Sequence, residues 1–379
     1  MSVQLISKSL ASVLFALISL GSIVGCASGP EKAKPVELAT NPNLLGVRLA
    51  WTNKVGKVGF PLDVKVNPES VIVAGSEGLI ISIDPLTGRD LWRVNIGGEI
   101  AAGVGGDGRY SAVVTRNNEL VVLDGGQEAW RKSLAAQGFT APLVAGGRVF
   151  VLTADRSLTA FDAQSGRKLW VQRRPGESLV LRQAGVLTTA GEVLVVGLSG
   201  RLVGMDPLNG NIRWESPIAT PRGTNDIERL VDLVGPLSRS GDLFCARAFQ
   251  SAIGCVNAQR GALIWTKPAS GVVGLGGDDN LIYGVESDGQ LIAWGRADGE
   301  RIWSSQGLRY RRLTAPLLLG RSVLLGDESG SVHFLSREDG ALLTRVSTDP
   351  SGVAATPVTA GGALVVVTHS GGIFGFMPE

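Results

Sequence analysis

The chain has 379 residues, of which 44% are hydrophobic, 18% are charged and 52 are glycine. This composition suits a turn-rich all-β domain with a large core. The formal net charge is only +2 and no Lys/Arg cluster covers one face, so no nucleic-acid partner is predicted.

Residues 1–25 are predicted to be a targeting segment. Lys8 is its only charge, and the apolar or small run from Leu10 to Val24 is too short for a comfortable membrane span. The segment ends Ile-Val-Gly-Cys, which resembles the bacterial lipobox and implies that Cys26 is diacylated and becomes the mature N-terminus. The alternative is an ordinary signal peptide followed by an incidental cysteine. Ala27 stands where an Asp retains many such lipoproteins in the inner membrane, so the resemblance implies lipid anchoring at the periplasmic face of the outer membrane.

Residues 26–45 are expected to form the lipidated cysteine and a flexible tether, and residues 46–379 the folded domain. The tether is polar and rich in Pro, Lys and Glu. Its 19 residues after Cys26 would reach at most roughly 60 Å when extended.

A sequence frame recurs along the folded domain and is clearest in Ile80–Trp92, Ser157–Trp170 and Leu202–Trp214. In each copy an apolar strand ends at Asp, a Gly follows four residues later, and a Trp follows four residues after the Gly. The Asp side chain can accept backbone N–H groups in a turn, and the Gly can adopt a positive φ. The frame therefore predicts a tight connection between two antiparallel strands.

The tryptophans count the copies of this frame. Seven of the eight occupy it: Trp51, Trp92, Trp130, Trp170, Trp214, Trp265 and Trp303. One more copy keeps the frame but has Thr344 at the Trp position. Trp294 lies off the pattern in an apolar strand and is predicted to be a core residue.

Each repeat also contains two earlier strands, such as Thr140–Ala145 and Arg148–Thr153. Four short strands in a period of about 40 residues are typical of a β-propeller blade. The last copy, Val353–Glu379, supplies three strands, whereas the first, Gly46–Val55, has no strands before it. We therefore predict an eight-bladed β-propeller of four-stranded antiparallel blades, closed by pairing of Leu49–Thr52 with the C-terminal blade.

Two further cysteines, Cys245 and Cys255, fall on consecutive predicted strands and nearly opposite each other. In an oxidising periplasm they could form a cross-strand disulfide, and the alternative is a pair of buried free thiols. The sequence leaves this choice open.

The usual signatures of catalysis are missing from the sequence. Its two histidines, His333 and His369, have no Cys or His neighbour at metal-ligand spacing. The glycine-rich stretches that begin at Gly103 and Gly274 do not open a helix, so they are interpreted as turns between inner strands rather than as a phosphate cradle. No catalytic residue, metal site or cofactor is predicted.

The repeat nevertheless resembles the tryptophan-docking motif of the eight-bladed quinoprotein dehydrogenases, which bind pyrroloquinoline quinone and calcium. Members of that group are usually longer and carry an adjacent Cys-Cys pair and an acidic calcium site. No two cysteines adjoin in this chain. A periplasmic quinoprotein dehydrogenase is kept as the alternative hypothesis.

Two neighbouring links between blades are longer than the others, at residues 173–183 and 216–233. Links of this kind lie on one face of a propeller, so the two loops should form one patch. Both combine leucine with arginine and an acidic residue, a composition suited to binding protein. The alternative is irregular packing, with Leu179 and Leu230 tucked into the propeller.

These loops carry a more specific resemblance, in Glu-Ser-Leu-Val-Leu-Arg and Asp-Ile-Glu-Arg-Leu-Val-Asp. With the stretch Gly326–Gly340, the lipobox and the repeats, they make the chain similar to the BamB family, lipoproteins of the outer-membrane β-barrel assembly machinery. The resemblance implies a non-catalytic scaffold that binds the periplasmic POTRA domains of BamA and assists assembly and insertion of outer-membrane proteins. Direct binding of unfolded outer-membrane proteins is a further partner hypothesis.

The family's two contact motifs, Leu-x-Leu-Arg and Arg-Leu-x-Asp-x-Asp, assign the partner-binding residues that the resemblance implies. The positions that match are Leu179, Leu181, Arg182, Arg229, Leu230 and Asp232. The final Asp of the second motif is Val234 in this chain, so one of the family's contacts is absent from the sequence.

Overall fold

The computed structural model describes residues 33–174, 179–222, 224–225 and 229–379. The predicted signal peptide and Cys26 therefore lie outside the described residues. Within them the chain forms strands and no helix. The strands are β1 (Val47–Lys54), β2 (Lys65–Asn67), β3 (Ser70–Ala74), β4 (Leu79–Ile83), β5 (Asp90–Asn95), β6 (Ile100–Gly106), β7 (Tyr110–Thr115), β8 (Glu119–Asp124), β9 (Gln127–Ser133), β10 (Leu143–Ala145), β11 (Arg148–Leu152), β12 (Ser157–Asp162), β13 (Lys168–Arg173), β14 (Leu187–Ala190), β15 (Val193–Leu198), β16 (Arg201–Met205), β17 (Ile212–Pro217), β18 (Leu233–Ser240), β19 (Leu243–Ala248), β20 (Ala252–Asn257), β21 (Ala262–Pro268), β22 (Leu275–Gly277), β23 (Leu281–Val285), β24 (Leu291–Gly295), β25 (Arg301–Ser305), β26 (Leu317–Leu319), β27 (Ser322–Gly326), β28 (Ser331–Ser336), β29 (Leu342–Ser347), β30 (Val358–Ala360), β31 (Ala363–Val367) and β32 (Gly372–Pro378).

The strands form eight four-stranded antiparallel sheets, which confirms the predicted eight-bladed propeller. Blade 1 contains β2–β5, and each following set of four consecutive strands forms the next blade, up to blade 7 with β26–β29. Blade 8 has the order β30-β31-β32-β1. The second and third strands of the blades are almost completely buried, so the core lies between neighbouring blades.

Each tryptophan of the frame packs on the turn of the next blade. A Cβ added to any of the frame glycines would come within 2.3–2.7 Å of the preceding blade's side chains, chiefly its Trp ring. The indole N–H groups of Trp51, Trp130 and Trp265, for example, donate at 2.8–2.9 Å to the carbonyl of the residue after the frame's Asp position. The frame therefore fixes one blade to the next. Its glycine is required because φ is positive and because the Trp ring leaves no room for a Cβ.

Ring closure uses the predicted N-terminal strand. Leu49 pairs with Phe376, Trp51 with Gly375 and Thr52 with Phe374. The two incomplete repeats thus share one sheet, and the edge of β32 is covered.

The missing tryptophan at position 344 has a structural counterpart across the strand pair. Where a frame Trp is present, its cross-strand partner is small or medium-sized: Ser82, Val122, Ala160, Gly204, Cys255, Ala293 or Gly375. Opposite Thr344 the partner is Phe334, which is buried. Blade 8 joins β32 to the distant β1 and has no turn of the frame on which a Trp could dock. In blade 7 the aromatic ring therefore stands on the neighbouring strand, β28.

The glycine-rich stretches at Gly103 and Gly274 differ from their interpretation as turns. Their glycines lie largely in the inner strands β6 and β22. A Cβ at Gly105 would come within 1.6 Å of the Pro142 carbonyl oxygen, and one at Gly276 within 2.3 Å of the Pro316 oxygen. Glycine is needed there because the backbones of neighbouring blades converge near the axis.

Part of the predicted tether is a strap on the propeller. The compact unit begins at Pro35, and residues 35–45 run along blade 7. The Val36 amide donates to the Arg309 carbonyl at 3.1 Å, and the Leu44 amide donates to the Leu343 carbonyl at 2.8 Å. Leu38 packs against a core cluster. The expected flexible tether is therefore replaced over residues 35–45 by a docked segment beside the edge strand β29.

The two cysteines for which the sequence left two states open are joined in the structure. Cys245 on β19 pairs directly with Cys255 on β20, and a disulfide connects them. Both side chains are buried. Trp294, predicted to be core, is also buried and packs in the same cluster.

Candidate functional site

The loop between β13 and β14 and the loop between β17 and β18 meet on one face of the propeller. We call the described part of these two loops the loop face. Asp232, in the second loop, accepts a hydrogen bond from the Leu181 amide of the first loop at 3.0 Å. The same carboxylate pairs with Arg156 of the β11–β12 hairpin, with Nη1 and Oδ1 3.2 Å apart. Asp232 therefore connects three segments that are distant in sequence.

Arg156 holds both loops at once. Its Nη2 donates to the Leu179 carbonyl at 3.1 Å while Nη1 contacts Asp232. The side chain of Arg156 is 7% exposed and that of Asp232 is 17% exposed, so the pair is largely withdrawn from water. A partly buried ion pair with additional hydrogen bonds fixes geometry more than it adds stability.

The backbone of Arg156 is unusual for arginine. Its φ is 59°, in the left-handed region. In six of the other seven blades the equivalent hairpin position also has a positive φ: Gly78, Asn118, Gly200, Gly289, Gly330 and Gly371. A residue with a Cβ is strained in this conformation, so the arginine side chain must supply something that glycine cannot.

The first loop presents apolar and cationic groups beside the ion pair of Arg156 and Asp232. Leu179 is 39% exposed. Arg182 is exposed, and its guanidinium carbon lies 6.0 Å from the centre of the Phe139 ring. Leu181 lines an open pocket of about 490 Å³ together with Phe139, Asp232 and Val234. This surface offers a recess for an apolar side chain next to a positive charge.

The second loop places its two other predicted residues farther along. Arg229 is exposed, and its amide donates to the Asn225 carbonyl at 3.2 Å. Leu230 is half-buried and lines a groove between blades 4 and 5 with Phe249 and Leu263. The described contacts bring Leu179, Leu181 and Asp232 directly together, whereas Arg229 and Leu230 extend the face toward blade 5.

Val234 stands where the family motif has its last Asp. Its side chain is buried, and it is the second residue of the first strand of blade 5, opposite Arg247. Arg247 is completely buried and pairs instead with Glu286 at 3.0 Å. The apolar side chain at position 234 thus contributes to the pocket wall.

Sequence reasoning missed Arg156 and Phe139, because both lie outside the two loops. For Arg156 a signal was present: it stands where the repeat otherwise has glycine or asparagine in nearly every blade. Phe139 carries no such signal. Only the fold brings it under Arg182.

The two histidines differ in burial: His333 is buried within blade 7, and His369 is exposed. His333 Nε2 lies 3.0 Å from Asp327 Oδ2, and both side chains are buried. Burial opposes ionisation of Asp327, but hydrogen bonds from His333 and Ser329 outweigh it and lower the pKa of Asp327 to about 2. His369 Nδ1 lies 3.1 Å from the Val58 carbonyl oxygen. Across the described ranges, no three His, Cys, Asp or Glu side chains cluster so as to hold a metal ion.

The chain is similar in sequence to a family of known proteins. A family model described as "Outer membrane protein assembly factor BamB" matches residues 76–305. The BamB protein of Burkholderia pseudomallei is 37% identical, with 93% of this chain and 94% of that protein covered. The BamB protein of Bordetella pertussis is 35% identical, with coverage of 96% and 95%. The chain belongs to the BamB family.

The solved structures agree at the level of fold. The crystal structure of BamB from Moraxella catarrhalis matches with a TM-score of 0.80 and 22% identity, covering 87% of this chain and 99% of that one. A quinohemoprotein alcohol dehydrogenase from Comamonas testosteroni matches with a TM-score of 0.68 and 15% identity, covering 91% and 79%. At such identities the likeness concerns the propeller alone, and function does not follow from it. Among the described residues there is no helical segment that could span a membrane.

Proposed function

We propose that this chain is a non-catalytic scaffold lipoprotein of the outer-membrane β-barrel assembly complex, which binds the POTRA domains of BamA through the loop face. Relatives at 35–37% identity over nearly the whole chain carry the name of an outer membrane protein assembly factor. The observation that carries the site is the Asp232 carboxylate, which fastens the Leu181 amide and Arg156 together. A pre-ordered surface loses less conformational entropy when it binds.

The loop face has the chemistry of a protein interface. Leu179 and Leu181 can bury apolar area, and Arg182 can form charge-assisted bonds with an acidic partner. Asp232 is engaged within the chain, so it acts mainly by holding the Leu-x-Leu-Arg segment in place. Arg229 and Leu230 form the second half of the same interface.

The test of the interface is Arg182→Glu. Reversing this charge should weaken binding to purified POTRA domains by about 2 kcal/mol, roughly thirtyfold, with little change in melting temperature. Binding and thermal melting are measured on the same preparation. The matched control is Arg167→Glu, an exposed arginine in the β12–β13 turn on the opposite face. Unchanged binding would remove Arg182 from the site, and a collapsed melting temperature would show that the loop is structural.

The proposed location is the periplasmic face of the outer membrane, held by lipid on Cys26. The sequence Ile-Val-Gly-Cys directly after the apolar segment supports this assignment. Cys26→Ala should release the protein into the soluble periplasmic fraction in cells that lack BamA. Sedimentation of this variant with outer membranes in those cells would contradict lipid anchoring.

A further inference from the structure

A cavity that opens to solvent lies on the axis of the propeller. It has an empty volume of about 910 Å³, part of it open to solvent, and the first strands of blades 5–8 and the segment before β2 line it. Most of its wall is apolar, including Leu62, Pro236, Leu237, Pro316, Leu318 and Pro357. Among the lining residues only Asp63 and Arg239 carry a charge.

Asp63 has a fixed backbone and an unpaired side chain. Its amide donates to the Gly103 carbonyl at 2.8 Å, and its carbonyl accepts from the Val104 amide at 2.7 Å. Its carboxylate has no hydrogen bond or ion pair with any residue that the structure describes. The side chain is exposed to the cavity, but the protein around the cavity raises the pKa of Asp63 to about 6 by desolvation.

The two neighbouring cations, Arg239 and Lys65, make no contact with Asp63. Arg239 donates to the Thr189 and Gly241 carbonyls and stacks on Phe244, with its guanidinium carbon 5.1 Å from the ring centre. Lys65 follows on β2, where burial lowers the pKa of its ammonium and Asp107 raises it. Neither cation forms an ion pair with Asp63.

The raised pKa of Asp63 makes stability depend on pH. Because the folded-state pKa is above the ordinary value of 3.8, the native protein holds the proton more tightly than the unfolded chain. Stability therefore rises as the pH falls through about 6, and the gain is complete below 3.8. A carboxylate without a partner that lines a mostly apolar cavity and has a raised pKa is a functional candidate.

We propose that the axial cavity binds a small organic cation, an amine or guanidinium on a short apolar body, with the Asp63 carboxylate as its counter-ion. The cation would pair with the carboxylate, and the apolar body would cover leucine and proline surface. The cation can be a free molecule or a Lys or Arg side chain of a bound polypeptide. This site is separate from the loop face, so the test of cation binding does not depend on whether the loop face binds BamA.

The probe is n-butylammonium, titrated into the protein and followed by calorimetry or by amide shifts of the first strands at about pH 7.5. Unmutated protein should bind it, and Asp63→Asn should weaken binding about tenfold or more. n-Pentanol, uncharged and of similar shape, should bind no better to unmutated protein than to the variant. The control is Glu69→Gln, which removes an exposed carboxylate from the same blade.

Two measurements keep the test independent of the variant's folding. Binding to unmutated protein should weaken at about pH 5, where Asp63 is protonated. The melting temperature of Asp63→Asn should exceed that of unmutated protein at about pH 7.5 and approach it at about pH 4. A capped Gly-Lys-Gly peptide that competes with butylammonium would identify a side chain as the source, and failure to compete would identify a free amine. Equal binding by both proteins, or no binding by either, would overturn the proposal.

Discussion

At the scale of single residues, Arg156 links backbone strain to the loop face. Its left-handed φ is unfavourable for a residue with a Cβ, and its guanidinium binds Asp232 and the Leu179 carbonyl. Glycine at the same hairpin position would relieve the strain and remove the contacts together. Glycine at the matching position of another blade, Asn118, relieves strain without removing these contacts, so comparing the two substitutions separates the effects.

Arg156→Gly should leave the melting temperature nearly unchanged and weaken POTRA binding about tenfold, because relief of strain worth about 1 kcal/mol compensates part of the lost ion pair. The Leu181 amide donates a hydrogen bond to Asp232, and its hydrogen exchange should accelerate once Arg156 no longer holds that carboxylate. Asn118→Gly, at the equivalent position of blade 2, is the control for strain relief alone. If hydrogen exchange at Leu181 and POTRA binding were both unaltered, the two loops would keep their conformation without Arg156.

At the scale of elements, the tryptophan frame shows how one blade is fixed to the next. The ring of one blade covers the turn glycine of its neighbour, and its indole N–H satisfies a carbonyl of that turn. The junction between blades 7 and 8 has no such turn, and Phe334 opposite Thr344 fills the space from the adjacent strand. Volume is conserved while the aromatic residue changes strand.

This compensation predicts non-additive substitutions. Phe334→Ala should cost about 3–4 kcal/mol of the free energy of unfolding, and Thr344→Trp alone should overpack against Phe334. The double variant should recover about 1–3 kcal/mol relative to the sum, measured by denaturant unfolding in a double-mutant cycle. The mirror cycle, Ala160→Phe with Trp170→Thr in blade 3, is the control because that pair has the opposite arrangement. Additive effects in both cycles would show that Phe334 does not compensate for the missing Trp at position 344.

At the scale of the whole molecule, two N-terminal segments protect different edges. The strap of residues 35–45 lies beside β29, with only sparse backbone hydrogen bonds. β1 pairs with β32 along its length and completes blade 8. The second contact closes the ring, and the first covers an edge of a ring that is already closed.

Truncation distinguishes these roles. A soluble variant that begins at residue 46 should remain monomeric and cooperative, whereas one that begins at residue 56 should expose the edge of β32 and aggregate. Light scattering after size-exclusion chromatography and thermal melting measure both properties. The closure argument would fail if the shorter variant were as monomeric and stable as the longer one.

Much of this architecture was predictable because its causes are local and repeated. The Asp-to-Trp frame specifies a strand, a turn and a strand in each copy, and the incomplete repeats at the two ends specify closure. The positions of Arg156 and Phe139 could not be predicted in the same way, since their partners are far away in sequence. The glycines of β6 and β22 were misinterpreted because their requirement is a close backbone approach from another blade.

The sequence by itself determined the number of blades, the closing strand and the loops that contribute to the candidate interface. These follow from periodicity, from φ preferences and from a family motif, all of which can be read along one chain. Only the tertiary structure decided that Asp232 faces inward to Arg156, that residues 35–45 lie on blade 7, and that Asp63 stands unpaired on the axis. Those outcomes depend on which groups the closed ring brings together and how far it withdraws them from water, and neither quantity is local in sequence.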